Sequence, residues 1–61
     1  MKFQHYKGGI YELITFAIHT ETNEKLVIYS DESNNVYARP YDMFFENVID
    51  NGKEIPRFKK I

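Results

Sequence analysis

Four clusters of turn-forming residues punctuate this chain: Gly8-Gly9, Thr22-Asn23, Ser33-Asn34-Asn35 and Asn51-Gly52. Between them, β-branched and aromatic residues gather in runs too short for strand-helix-strand units, which leaves short antiparallel strands as the consistent reading. Asn51-Gly52 is the strongest of the signals. It is flanked by Val48-Ile49-Asp50 and Lys53-Glu54-Ile55, and both turn residues tolerate the positive φ that a type I′ hairpin turn demands. The fold class expected over residues 1–61 is all-β, a single SH3-like barrel of about five short strands with one helical turn.

The first long strand runs from Ile10 to Thr20 and is apolar on both faces, with Ile10, Ile14, Phe16 and Ile18 on one side and Tyr11, Leu13 and Ala17 on the other. A strand shared by both halves of a small barrel bends, so its inward face changes along its length. Lys25 to Ser30 and Val36 to Arg39 follow as strands, and alternation places Tyr37 and Arg39 on one face of the latter. Pro40 ends regular pairing because it has no N–H to donate. From Pro40 to Glu46 one helical turn is expected, with Pro at its first position and Asp42 near its positive end. Tyr41, Phe44, Phe45 and Val48 then form a core-facing stripe that plugs one end of the barrel. Pro56 makes the last segment an edge.

The 61 residues include no cysteine, so a disulfide, a thiolate metal site and a cysteine nucleophile are all excluded. The core must come from the five Phe, five Tyr and the aliphatic residues alone. A net charge of −1 gives no chain-wide attraction to nucleic acid or to an anionic membrane. The distribution is uneven, because residues 21–50 hold seven acids against Lys25 and Arg39 while residues 51–61 hold four bases against Glu54. That basic end fits either a contact with phosphate or an acidic partner, or an edge strand protected by lysines. No apolar run reaches signal length, and the longest, Leu13 to Ile18, contains Thr15. A cytoplasmic monomer with no membrane contact is expected.

His5 and His19 are the groups that titrate near neutrality. They lack the third His, the Cys or the HExxH spacing of a metal site. His19 ends a strand just before a turn and reads as a residue that pins it. His5, beside Tyr6 and Lys7, offers an imidazole, a phenol and an ammonium to an anion, while Tyr6 also suits docking into the core. Ser30 and Ser33 lack a nucleophile-elbow context, Gly8-Gly9 follows Lys7 instead of preceding a Lys-Ser pair, and the paired acids Glu21/Glu24 and Asp31/Glu32 fall on turns. Neither an enzyme nor a cofactor site is expected.

Aromatic and basic residues together carry the functional signal: Tyr6, Tyr29, Tyr37, Arg39, Arg57 and Phe58. Tyr and Arg anchor interfaces through large area, a polar tip and planar hydrogen bonding. Packing with hydroxyls at the barrel rim explains the same tyrosines. The candidate ligand-binding residues are His5, Tyr6, Tyr37, Arg39 and Arg57. A module recognising a peptide or partner protein is expected, and a nucleic-acid-binding accessory domain that uses the basic end and exposed tyrosines is the alternative.

The order of His5-Tyr6-Lys7-Gly8, Tyr11-Glu12, Ala17 with His19 and Glu21, Val27-Ile28-Tyr29, Arg39-Pro40, Met43-Phe44 and Pro56-Arg57-Phe58 resembles the DUF1653 family of small bacterial proteins across the whole chain. The family's usual Trp two residues before its Arg-Pro is here Tyr37. The resemblance implies a compact β-barrel domain and carries no established function.

Overall fold

Positive φ values at Gly8 (109°), Asn23 (61°), Asn34 (65°), Asn51 (52°) and Gly52 (76°) fall in the four punctuating clusters and nowhere else. The computed structural model describes all of residues 1–61. Its elements are β1 (Lys2–His5), β2 (Ile10–Ile18), β3 (Lys25–Ser30), β4 (Val36–Pro40), α1 (Tyr41–Phe44), β5 (Asn47–Asp50), β6 (Lys53–Pro56) and β7 (Phe58–Lys60). Every pairing is antiparallel. No helix is long and apolar enough to cross a membrane.

The mostly-β reading holds, but two details of the expected architecture change. Seven strands form instead of about five, because β1 and β7 are too short for a periodicity to stand out. Five strands make one sheet in the order β4-β3-β2-β1-β7, and β5 and β6 form a separate ribbon. The two outer strands do not pair with each other, so no closed barrel forms.

A β-bulge in β2 decides which side chains reach the core. Leu13 pairs with Tyr29 and Thr15 pairs with Ile28, which leaves Ile14 as the extra residue. Directly opposed residues share a face, so Tyr11 and Leu13 before the bulge lie on the same face as Phe16 and Ile18 after it. The face on which alternate residues stand therefore changes along this strand because of the inserted residue, but Phe16 and Ile18 stay exposed and do not join the core.

Five residues are buried, namely Phe3, Val27, Tyr29, Phe44 and Phe58, with Tyr11 and Leu13 packed against them. Phe44 and Phe58 stack face to face, centroids 4.1 Å apart and planes within 4°. Phe3 meets Phe44 edge-on at 5.4 Å. The helical turn is shorter than the expected Pro40 to Glu46 segment, and Pro40 occupies its N-cap while ending β4. Of the anticipated stripe, Phe44 alone is buried, Val48 is half-buried in β5, and Tyr41 and Phe45 stay exposed.

The Asn51-Gly52 turn closes the β5–β6 ribbon in register, with Asp50 opposite Lys53. A Gly52→Val variant forces a β-branched residue to positive φ and is expected to lose about 1 kcal/mol or more of stability. Chemical denaturation of the two proteins checks this, and equal midpoints would contradict it.

A candidate binding face around Arg39

Strand register sets which side chains stand together. Tyr37 lies opposite Tyr29 and Arg39 opposite Val27, Phe3 lies opposite Tyr11, and His5 lies opposite Phe58. Cross-strand partners share a face, so Tyr37, Arg39 and His5 project from the side of the sheet that carries the aromatic core. The residue types differ in what they do there.

Arg39 is half-buried. Its Nε–H donates to the Tyr29 hydroxyl at 3.3 Å, and its guanidinium carbon lies 5.8 Å from the Phe58 ring centroid. An alternative role, in which Arg39 neutralises Asp42 or Glu46, is not what occurs: the ion pairs join the N-terminal ammonium to Glu12 and Arg57 to Glu46. The rest of Arg39's donor fork has no protein partner, while the aromatic contacts hold the group in place.

Arg57 is engaged within the fold. Its Nη2 donates to Glu46 at 2.9 Å, its N–H donates to the Glu46 carbonyl at 3.0 Å, and its carbonyl accepts from the Tyr6 N–H at 2.9 Å. These bonds tie the segment after α1 to the β6–β7 junction and to β1. Its Nε is buried without a partner.

Tyr37 is a clamp as well as a surface. Its hydroxyl donates to Asp31 Oδ2 at 2.8 Å, and its ring lies 5.6 Å from Tyr29. Asp31 also accepts the backbone N–H groups of Ser33 and Asn35, each at 2.9 Å. The Tyr37 bond first, and the Asn35 side-chain bond next, hold the Asp31 carboxyl below its ordinary range, and the same Asp31 bond raises the Tyr37 phenol. The sequence marks Asp31 only as an acid on a turn, whereas the structure makes it the cap of its loop. Its signal is an Asp two and four residues before Ser33 and Asn35 in a turn cluster, the pattern of a side chain capping its own loop.

Both histidines pin turns. His19 Nδ1 accepts the Glu21 N–H at 3.1 Å and the Thr22 N–H at 3.4 Å, as expected for His19. His5 Nδ1 accepts the Lys7 N–H at 3.1 Å, which places the neutral ring's proton on Nε2. The His5 ring also meets Phe58 at 5.0 Å and Tyr6 at 4.7 Å. His5 and Tyr6 line a separate open groove of about 530 Å³ with Ile55, Pro56 and Lys59, and none of Tyr37, Arg39 or Arg57 reaches it. The five candidates therefore do not form one site: Tyr37, Arg39 and His5 share the aromatic face, Tyr6 faces the groove, and Arg57 is occupied by Glu46. No three His, Asp or Glu side chains gather as metal ligands would.

Partial burial, followed by the charges of Arg57, Arg39 and Lys7, holds His5 below its ordinary value. The folded state thus takes up its proton less readily than the unfolded state. Stability from this group is present above the unfolded value of about 6.5 and is lost as pH falls from there toward the lowered folded value. His5→Asn, whose side-chain oxygen can still accept the Lys7 N–H, is expected to flatten the decline in Tm between pH 7 and 5. Unchanged slopes in the two melting series would contradict it.

With this geometry in hand, the comparisons give a family and nothing further. A family model described as "Protein of unknown function (DUF1653)" matches residues 1–60. The chain belongs to this family. The matched span of the DUF1653 domain runs through the end of β7 and so includes both outer strands of the sheet. Searches of curated proteins and of solved structures return no match.

Proposed function

We propose that this DUF1653 domain is a non-catalytic, cytoplasmic binding module that recognises an acidic peptide or the acidic segment of a partner protein through Arg39 and Tyr37. One observation carries the reading. Arg39 is the charged group held against the aromatic core with no carboxylate of its own. A guanidinium already ordered by ring contacts forfeits little freedom on binding, and its free fork matches a carboxylate in a bidentate pair. The reading also treats the sheet as an SH3-like barrel left open on one side. In support, the Arg57–Glu46 and Tyr6–Arg57 backbone bonds draw the β5–β6 ribbon toward β1.

Selection from a displayed peptide library tests this. Enrichment of Asp and Glu is expected, together with loss of the selected peptides by an Arg39→Ala variant whose Tm stays within a few degrees of the parent. A variant that melts far lower yet captures the same peptides would make Arg39 a structural residue and end the proposal. A nucleic-acid module would instead bind oligonucleotides with a steep loss of affinity on adding salt.

A further inference from the structure

Peptide recognition at Arg39 leaves open how the ligand lies, and the edge of the sheet supplies an answer. β4 is an outer strand. The Asp31 N–H donates to the Asn35 carbonyl at 3.0 Å, and Tyr29–Tyr37 and Val27–Arg39 continue the ladder at the same parity. In an antiparallel ladder the alternate residues turn their backbone groups away from the partner, so Val36 and Ala38 point N–H and C=O outward from the sheet. Pro40, opposite Leu26, fits the same parity because it has no N–H to give. No turn, loop or side-chain hydrogen bond reaches Val36 or Ala38.

The two edges of the sheet are protected unequally. β7 is three residues long and carries Lys59 and Lys60, the usual guard against unwanted strand pairing. On β4 the outward-pairing residues are uncharged, and Val36 is 63% exposed. An edge left open beside an unpaired guanidinium is a template for an incoming strand.

Resting on the proposed acidic-peptide reading, we infer that the ligand adds to the sheet as an extended strand along β4. Its backbone bonds to Val36 and Ala38, and its acidic side chain stands opposite Arg39. Arg39 would then sit in a non-hydrogen-bonded pair, where cross-strand side chains approach most closely. Tyr37, two residues along the same face, meets the next alternate side chain. A second copy of the chain brings no carboxylate to this position: pairing about a centre at Tyr37 sets Arg39 opposite Asn35, and pairing about Ala38 sets it opposite Tyr37.

The probes are a capped pentapeptide, acetyl-Thr-Val-Glu-Val-Thr-amide, and the same peptide N-methylated at both Val residues, which keeps the carboxylate and removes the flanking donors. Titrations are followed by the backbone amide signals of the protein. The parent peptide, whose second Val stands opposite Ala38 when its Glu faces Arg39, is expected to move the Ala38 signal, and methylation is expected to weaken binding roughly tenfold or more, as loss of about 1.4 kcal/mol of pairing implies. Ala38→Pro, which removes an outward donor from an edge position where Pro is tolerated, is expected to produce the same loss. Equal binding of both peptides, each abolished by Arg39→Ala, overturns docking along β4 and leaves Arg39 recognition standing. Binding of neither peptide, or binding that Arg39→Ala does not weaken, overturns both. Sedimentation that shows a dimer dissociated by Ala38→Pro would assign the edge to a second copy and overturn the inference.

Discussion

Phe44→Ala is expected to abolish cooperative unfolding. Phe44 is fully buried, stacks on Phe58 at 4.1 Å and meets Tyr29 at 5.3 Å and Phe3 at 5.4 Å. Truncating a buried Phe costs about 3 to 5 kcal/mol, through lost transfer energy plus the cavity left behind. A single core in a chain this short rarely supplies more than about that much. The accessible surface is 4480 Å² where scaling from mass gives ~4,200 Å², and only five residues are buried, so little reserve exists to absorb the loss. Phe45→Ala is the matched control, because Phe45 is 41% exposed and its truncation leaves no enclosed cavity. A thermal melt of Phe44→Ala within a few degrees of the parent, or a Phe45→Ala variant the less stable of the two, would show that the helical turn presents its other side to the sheet.

Removing residues 57–61 is expected to be as severe. That deletion takes away β7 and with it Phe58, which packs on Phe44, Tyr11, Tyr29 and His5 at 4.1, 5.6, 5.6 and 5.0 Å. It also removes the Arg57 bonds to Glu46 and to Tyr6. β1 would become an edge strand, and the aromatic faces of Phe44 and Tyr29 would meet water. The amide spectrum of the truncated chain is expected to collapse to the narrow dispersion of an unfolded protein. A dispersed, native-like spectrum would mean that β7 is an appendage and that the core closes without it.

How much of this was legible in the sequence depends on the kind of signal each element carries. The turns were readable because positive φ is a property of one or two residues: Asn51-Gly52 and Gly8 carry it in their own covalent structure. Phe44 was readable because a Pro, an acid and an apolar pair at helical spacing agree with one another. β7 was readable as an edge segment after Pro56 guarded by lysines, and it is an outer strand, but three residues, Phe58-Lys59-Lys60, cannot establish an alternation or name the strand they pair with. The parity of β2 was hidden for a different reason: Ile14 is an ordinary strand residue, and nothing local marks it as the one left unpaired. Sheet closure is a long-range property, decided by whether β4 and β7 meet, and no local pattern reports it. At the candidate site, Tyr37 and Arg39 were found on one face from alternation alone. That Glu46 would take Arg57 and leave Arg39 without an acid depended on how the segment after α1 folds back, which residue spacing does not encode.

The central claim is that Arg39's guanidinium is free for a ligand while Arg57's is spent on the fold, and the side-chain Nε–Hε signals of the two arginines test it most directly. In a titration with acetyl-Thr-Val-Glu-Val-Thr-amide, the Arg39 signal is expected to shift progressively and saturate, with the Arg57 signal fixed. Movement of Arg57 in place of Arg39, or of neither while the peptide binds, would contradict the account.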